Sequence, residues 1–256
     1  MRCGEAFGKS TPCILLRTAY NFPAFVCHAF IRSYQFINVE VLSEDPMLVI
    51  FRDFAPDHYV ENFLEDVGEL KMMEQKVVKR GQENVSESSP SRQANGTWID
   101  HTASDGVARM FRRAMLFLPF INFSNSDLWQ VLKYRPGGHY APHHDYISYS
   151  SPETYDFWMK TYGNRMATFF LVLQPAQEGG GTVFPELHKA VHPSRGDVVF
   201  WINVNYTGEK EEKSSHGGCP VYEGEKIAAT LWIRMKGQHI FQSASSRLDI
   251  RELMQR

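Results

Sequence analysis

The second half of the chain is a succession of short segments that are rich in β-branched and aromatic residues. In order they read DLWQVLKY, MATFFLVLQ, GTVFP, DVVFWINV and KIAATLWIRM. Each segment has the length and composition of a β-strand, and the glycine and proline residues between them favour turns. Many short strands at this spacing predict a sandwich or barrel of the jelly-roll kind, so we expect a mainly β (α+β) fold.

Two amphipathic helices are predicted ahead of these strands. The strand-like run LVIFRDF is followed by APDHYVENFLEDVGEL, which has Pro56 at a first helical position and apolar residues at helical spacing. A second helix is predicted from about Ser104 to Phe117, with Ser104 or Asp105 as its cap and Pro119 just beyond its end. We expect both helices to buttress the β-rich core.

The rest of the chain divides by composition. The stretch between the two helices, KRGQENVSESSPSRQANGT, is polar and predicts a mobile surface loop. Residues 1–40 show no regular period and are predicted to be an N-terminal attachment. The main domain is placed at 41–245 and a C-terminal tail at 246–256, because 256 residues suit one large domain with attachments.

Charge and hydropathy argue against two kinds of partner. The net charge is -2 and the isoelectric point is about 6.6, so composition gives no sign of a nucleic-acid or membrane-surface partner. The most apolar stretch, CILLRTAYNFPAFVCHAFI, is interrupted by Arg17, Asn21 and Pro23. It therefore predicts neither a membrane span nor a clean signal peptide.

Cysteines and glycosylation sequons bear on the compartment. The chain has four cysteines and no CxxC pair, which argues against a structural zinc site. Cys3, Cys13 and Cys27 lie close to the N-terminus, and the sequence leaves their disulfide pairing open. Four N-x-S/T sequons favour a glycoprotein of the secretory pathway, and they begin at Asn84, Asn95, Asn122 and Asn205.

The motif PHHDY, residues 142–146, contains the residue types of a metal site. Pro142 and the two glycines shortly before it disfavour a helix, so the segment is predicted to be extended. Side chains two residues apart then share a face, which places His143 with Asp145 and turns His144 to the opposite side. His143 and Asp145 can chelate one ion.

A third ligand has to come from elsewhere, and His216 stands out among the other histidines. It lies in SSHGGCPV, shortly before the last strong strand, where a jelly roll can bring it opposite the first pair. Two histidines and one carboxylate form the facial triad of non-haem Fe(II) oxygenases. Hydrolytic zinc sites also often use three protein ligands, so ligand count alone leaves the metal open.

Lys226 falls ten residues after His216 and opens an apolar strand. A cation that enters a β-rich core is costly unless it meets an anion. An O₂-activating iron site needs a two-electron donor, and a 2-oxo dicarboxylic acid would chelate the iron with one end and need a cationic anchor for the other. Lys226 fits that anchor, although an ordinary solvated lysine at a strand edge is an equal alternative.

Six motifs in order carry a resemblance to a known family: YRPGGHYAPHHDY, GNRMATFFLVL, EGGGTVFPE, RGDVVFWIN, SSHGGCPVYEGEK and LWIRMKGQ. Together they resemble the catalytic domain of the collagen prolyl 4-hydroxylase α subunit, over about residues 48–241. The resemblance implies a double-stranded β-helix fold. It also implies Fe(II), 2-oxoglutarate and O₂ as reactants, with L-ascorbate to rescue oxidised iron.

The resemblance implies a role for nine residues, carried over position by position. His143, Asp145 and His216 match the iron ligands. Lys226 matches the residue that pairs with the distal carboxylate of 2-oxoglutarate, and Tyr134 and Thr168 match positions that line its pocket. Three further positions match residues that hold the proline-containing peptide: Tyr140, Arg165 and Trp232.

The family also implies a reaction, a location and a partner. We expect hydroxylation of peptidyl proline at C4 in collagen-like or other secretory-pathway proteins, in the lumen of the endoplasmic reticulum. A protein disulfide isomerase β subunit is an expected partner, although the chain is too short to hold the α subunit's N-terminal regions ahead of its catalytic domain.

The sequence leaves two alternative functions open. The same fold could act on peptidyl lysine or on a small molecule, with Arg234 as the rival anchor for the distal carboxylate. Alternatively, the chain could be an inactive cupin-like binding module, against which the complete triad and Lys226 argue.

Overall fold

The computed structural model describes residues 26–79, 82–87, 90–240 and 248–255; for 77–79 and 82–87 it describes the backbone only. The α-helices of these described residues are α1 (Asp57–Gly68), α2 (Asp105–Phe117), α3 (Phe157–Tyr162) and α4 (Ile250–Gln255). Within these ranges, no helix is both long enough and apolar enough to cross a membrane.

The described strands are β1 (Val26–Arg32), β2 (Gln35–Glu44), β3 (Met47–Arg52), β4 (Met73–Glu74), β5 (Val77–Lys79), β6 (Gln82–Glu87), β7 (Arg92–Gln93), β8 (Asn95–Ile99), β9 (Trp129–Tyr134), β10 (His139–His143), β11 (Arg165–Gln174), β12 (Glu178–Gly179), β13 (Thr182–Phe184), β14 (Lys189–Val191), β15 (Val198–Ile202), β16 (His216–Gly218), β17 (Val221–Glu223) and β18 (Lys226–Arg234).

Two antiparallel sheets carry the architecture. The larger sheet has the order β1-β2-β3-β15-β11-β18-β9-β8-β4, and the smaller has the order β14-β13-β16-β10-β7. Sequence neighbours such as β10 and β11 lie in different sheets, which is the alternation expected of a jelly roll. The predicted mainly β fold is confirmed.

Alternation along β18 explains how one strand serves both a core and a site. Ile227, Ala229, Leu231 and Ile233 belong to the main hydrophobic cluster, which also contains the buried faces of α1 and α2. The intervening residues Lys226, Thr230 and Trp232 line a pocket on the opposite face. The period of two thus places the helices on one side of the large sheet and the pocket on the other.

Both predicted helices are present close to their predicted bounds. Helix α1 begins after Pro56, and α2 begins after Ser104, whose side chain accepts a hydrogen bond from the Val107 amide. The helices approach closely at Gly106, whose amide donates to Asp66 Oδ2 at 2.8 Å. The predicted buttressing of the sheet by two helices is therefore confirmed.

The loop predicted over residues 79–97 is wrong within its described part. β8 pairs with β9 on one side and with β4 on the other, and β7 pairs with β10. Backbone pairing with neighbours far along the chain overrides the weak strand propensity of Ser, Asn and Gly here.

The predicted N-terminal attachment and the predicted C-terminal tail both contribute elements to the main fold. The limit at residue 40 falls inside β2, and β1 and β2 extend the large sheet; residues 1–25 lie outside the described residues. In the predicted tail, α4 buries Ile250, Leu253 and Met254 in the main cluster. Cys27 and Cys219 each take part in a disulfide bond. Cys3 and Cys13 lie outside the described residues.

Candidate active site

Three residues with metal-binding side chains meet on the smaller sheet. His143 ends β10 and His216 begins β16, and the two residues are directly opposite in the antiparallel pairing of these strands. Asp145 follows two residues after His143. One ligand atom from each residue lies within 4.8 Å of the other two, so a single ion can contact all three.

Backbone carbonyls orient both imidazoles. Nδ1 of His143 lies 2.9 Å from Ala141 O, and Nδ1 of His216 lies 2.9 Å from Ser214 O. A neutral ring that donates through Nδ1 presents the lone pair of Nε2. These Nε2 atoms lie 3.7 and 3.5 Å from the carboxylate oxygens of Asp145.

Electrostatics keep His143 and Asp145 in the protonation states that a metal requires. Burial, with His216 nearby, lowers the pKa of His143 to about 3, so its ring is neutral. Burial alone would raise the pKa of Asp145, but His216, His143 and Arg165 outweigh it and the pKa is lowered. The site therefore offers the neutral imidazole of His143 and the carboxylate of Asp145, beside the ring of His216.

A hydrogen-bond chain from the large sheet positions Asp145. Thr168 Oγ1 donates to Asp145 Oδ2 at 2.7 Å, and Asn203 Nδ2 donates to Thr168 Oγ1 at 2.8 Å. Sequence reasoning missed Asn203, because no local motif marks a residue that acts through a neighbouring strand. His144 is not part of the metal-binding cluster, because its Nε2 lies 3.0 Å from Glu212 O.

Lys226 is a buried cation at the far end of the same pocket. Its Nζ donates to Gly180 O at 2.6 Å and lies 5.2 Å from the centre of the Phe170 ring. Burial lowers the pKa of Lys226 to about 8. Its side chain is buried, so the alternative of a solvated edge lysine is wrong. No carboxylate of the described residues pairs with it.

Arg234 is not available as a rival anchor. Its Nε donates to Asp127 Oδ1 at 2.6 Å and its Nη2 donates to Asp127 Oδ2 at 3.1 Å. Its Nη1 also donates to Gly163 O at 3.1 Å. Its charge is thus paired with Asp127, whereas no carboxylate among the described residues pairs with Lys226.

Tyr134 and Tyr140 line the pocket with Arg92 beside them. Tyr134 is opposite Lys226 in the pairing of β9 with β18, and burial raises the pKa of Tyr134 to about 12. The Tyr140 ring stacks on His143 at 3.6 Å between centres, and the Arg92 guanidinium lies 4.6 Å from the Tyr140 ring. Arg92 was missed because it fell in the segment predicted as a loop.

Arg165 and Trp232 form another part of the site. The Arg165 guanidinium lies 3.6 Å from the centre of the Trp232 ring, and its Nε donates to Asp127 Oδ2 at 3.0 Å. Trp232 lines the pocket, and its buried Nε1 donates to no described residue. Trp98, which is 44% exposed, lies against Trp232 at 5.6 Å between ring centres.

The donor set fits divalent iron. Two imidazoles and one carboxylate, placed close together, are the facial triad that leaves coordination positions for a chelating cosubstrate and O₂. A buried cation across the pocket adds the anchor that a dicarboxylic cosubstrate needs. The nine residues singled out from the sequence all lie in or around this one pocket, with Arg165 reaching it through Trp232.

Fold and site together define a 2-oxoglutarate- and Fe(II)-dependent oxygenase. In agreement, the model of the 2OG-Fe(II) oxygenase superfamily matches residues 129–234, which include the triad and Lys226. Fe(II) and 2-oxoglutarate are therefore the cofactors of this chain. Within the superfamily, the chain belongs to the prolyl 4-hydroxylases.

Two relatives support that narrower assignment. Prolyl 4-hydroxylase 1 of Arabidopsis thaliana is 30% identical over 216 residues, which cover 78% of this chain and 73% of the relative. Prolyl 4-hydroxylase subunit alpha-2 of Caenorhabditis elegans is 31% identical over 216 residues, which cover 84% of this chain and 39% of the relative. The chain spans about two fifths of the length of the animal α subunits it matches.

Solved structures share the fold. The viral collagen prolyl hydroxylase from Paramecium Bursaria Chlorella virus-1, in its 2OG complex, superposes with a TM-score of 0.54 and 24% identity, over 73% of this chain and 95% of that one. A prolyl hydroxylase from Trichoplax adhaerens, in complex with a hypoxia inducible factor peptide fragment, gives a TM-score of 0.51 and 17% identity, over 77% and 87%. The double-stranded β-helix fold is confirmed.

Proposed function

We propose that this protein hydroxylates peptidyl proline at C4, in collagen-like or other secretory-pathway proteins. The observation that carries the proposal is Lys226, a buried cation that lacks an anionic partner among the described residues and lines the same pocket as the His143, Asp145 and His216 cluster. Lys226 would pair with the distal carboxylate of a 2-oxo dicarboxylate held at this cluster. The relatives that carry the name prolyl 4-hydroxylase support proline as the target.

The reaction consumes O₂, 2-oxoglutarate and the peptide. Bound Fe(II) supplies the chemistry by which one oxygen atom enters the C–H bond at C4 and the other enters the carboxylate of succinate, with release of CO₂. His143, Asp145 and His216 would hold the metal, while Tyr134 and Thr168 would line the cosubstrate pocket. L-Ascorbate would return oxidised iron to Fe(II) between turnovers.

The peptide would lie at the Trp232 side of the pocket. The guanidinium of Arg165 can donate hydrogen bonds to backbone carbonyls of an extended peptide, and the rings of Trp232 and Tyr140 provide apolar walls of the pocket. Fixed contacts of this kind hold one C–H bond near the reacting oxygen and keep water out.

The proposed location is the lumen of the endoplasmic reticulum. Asn205 supports it, because its sequon lies in a turn where Asn205 Oδ1 accepts hydrogen bonds from Thr207 N at 3.0 Å and Thr207 Oγ1 at 2.6 Å. No described residue accepts from Asn205 Nδ2, so that atom can carry a glycan. A protein disulfide isomerase β subunit is the proposed partner, and co-purification from the lumen tests it.

A peptide turnover assay tests the function. Purified chain with Fe(II), 2-oxoglutarate and ascorbate should release succinate and CO₂ in step with 4-hydroxyproline formation in a Pro-Pro-Gly repeat peptide. Succinate that rises with a lysine peptide instead would identify a different substrate. Absence of peptide-stimulated succinate from iron-loaded protein would favour a binding module.

A further inference from the structure

Three aromatic side chains stand together on α3. Phe157 is 66% exposed and Trp158 is 42% exposed. Their ring centres lie 5.8 Å apart, and the Tyr162 ring lies 5.6 Å from Trp158 and 6.4 Å from Phe157. We call Phe157, Trp158 and Tyr162 the aromatic platform. Exposed aromatic surface of this kind marks a place where another molecule binds.

The platform is fixed to the body of the protein. Asp156 Oδ1 accepts a hydrogen bond from the Met159 amide at 2.7 Å at the start of α3. At its end, Lys236 donates through Nζ to Lys160 O at 2.6 Å and through its backbone N to Tyr162 O at 2.9 Å. A ligand therefore meets rings that are already positioned, which reduces the entropy cost of binding.

The platform continues from the wall of the pocket. Gly163 O, one residue past α3, accepts a hydrogen bond from Arg234, and Arg165 two residues later stacks on Trp232. From Trp232 to Lys236 is a span of four residues, so their backbones lie at most roughly 13 Å apart, and less because the chain turns after β18 ends at Arg234.

Two tyrosines lie in the region between the pocket wall at Trp232 and the aromatic platform. The Tyr149 and Tyr155 rings lie 5.0 Å apart. Burial and Asp156, the cap of α3, raise the pKa of Tyr149, while Arg234 and Arg165 act in the opposite direction. Tyr149 is therefore close to α3 and to both arginines, so aromatic surface extends from Trp232 toward the platform.

We propose that the aromatic platform is a second binding surface for the proline-containing peptide. Proline-rich chains adopt the polyproline II helix, which docks on exposed aromatic rings without further ordering. At about 3.1 Å per residue, a span of up to about 13 Å corresponds to at most about four residues of peptide between the pocket and the backbone that holds α3. This proposal rests on the proposed function, because it needs a proline-containing peptide in the pocket.

A comparison of a short and a long peptide distinguishes binding at the platform from binding in the pocket. A single Pro-Pro-Gly triplet extends only about 3–6 Å past its target and is too short to reach the platform, whereas a repeat peptide of about thirty residues reaches it. In the Phe157→Ala/Trp158→Ala variant, KM for the long peptide should rise about tenfold, a fraction of the binding free energy typical of two aromatic contacts. KM for the short peptide, kcat and KM for 2-oxoglutarate should stay unchanged.

Tyr206→Ala is the matched control, since Tyr206 is 71% exposed and lies outside the platform. It should leave both KM values unchanged. Equal KM for the long peptide in the platform variant and the wild type would overturn the proposal, as would equal increases for both peptides. Circular dichroism of the variant checks that α3 and the sheet are retained.

A direct binding assay tests the platform independently of the hydroxylation reaction. Fluorescence anisotropy of the labelled long peptide, with Fe(II) and 2-oxoglutarate under argon, reports affinity without turnover. If the wild type binds but does not hydroxylate the peptide, and the platform variant binds about tenfold more weakly, the proposed function fails and the platform stands. If the wild type does not bind the peptide, the platform proposal is overturned.

Discussion

Lys226 shows how a single residue can reveal a missing ligand. Its side chain is buried, its one hydrogen-bond partner among the described residues is the neutral carbonyl of Gly180, and its charge is opposed by no carboxylate. Keeping such a cation in a folded protein costs free energy that a bound anion recovers. The position of this residue could be predicted from the sequence, but its lack of a partner could be seen only in the fold.

Replacing Lys226 should therefore weaken 2-oxoglutarate binding selectively. Lys226→Ala removes the charge that meets the distal carboxylate, and loss of a charge-assisted hydrogen bond worth about 3 kcal/mol raises KM for 2-oxoglutarate about 100-fold. Steady-state kinetics with varied 2-oxoglutarate measure the change. Arg234→Lys is the control, since that position is paired with Asp127; a larger effect there than at Lys226 would contradict the assignment.

The same residue predicts a pH dependence. Burial lowers the pKa of Lys226 to about 8 in the protein without cosubstrate, and a bound carboxylate favours the charged amine. Below pH 8 the amine is already charged; above it, binding must take up a proton, so affinity should fall by up to about tenfold per pH unit. Isothermal titration calorimetry between pH 7 and pH 9.5 measures this, and Lys226→Arg should flatten the slope because arginine stays charged.

Thr168 is a positioning residue for the metal carboxylate. Thr168→Val keeps the shape of the buried side chain but removes the hydrogen bond to Asp145 and the acceptor for Asn203. Such a loss behind a ligand typically weakens metal binding 10- to 100-fold. Equilibrium binding of Co(II), a redox-stable probe for Fe(II), measures it. Thr168→Ser retains the hydroxyl and should restore affinity, so an equal loss in both variants would indicate a packing defect instead.

At the scale of elements, helices and strands differed in how well the sequence predicted them. The limits of α1 and α2 follow from local signals, namely Pro56, Ser104 and apolar residues at helical spacing. β7 and β8 carry no such signal, because their pairing partners β10, β9 and β4 lie elsewhere in the chain. This is why Arg92, which belongs to β7, was missed.

The contact between α1 and α2 depends on the absence of a side chain at Gly106. A Cβ built there would lie 2.8 Å from the backbone of Asn62 and 2.5 Å from Asp66 Oδ2. Gly106→Ala should lower the free energy of unfolding by about 1–3 kcal/mol through overpacking. Gly68→Ala is the matched control, because a Cβ there has no atom within 4 Å. Urea unfolding measures both, and equal stability of the two variants would contradict close packing of the helices.

At the scale of the molecule, the site joins the two sheets. His143 and His216 lie on the smaller sheet, whereas Thr168 and Lys226 belong to the larger one. The spacing His-x-Asp predicted one half of the metal cluster because it is local, and the jelly-roll order made His216 a candidate for the other half. Asn203 and the pairing of Arg234 with Asp127 could not be predicted, because they depend on side-chain contacts between distant strands.

A site that spans both sheets should stabilise the whole fold when it fills. His143 and His216 on the smaller sheet would hold Fe(II), and Lys226 on the larger sheet would hold 2-oxoglutarate, so the two ligands together should act more strongly than either alone. At about 100 times Kd, a ligand adds about 2.7 kcal/mol, which raises Tm by about 5–10 °C in a chain of this size. Anaerobic differential scanning calorimetry measures the change. His143→Ala should lose the shift caused by metal, while Lys226→Ala should keep that shift and lose the increment from 2-oxoglutarate. Loss of both shifts in Lys226→Ala would show that this lysine supports the fold, and would contradict its role as the cosubstrate anchor.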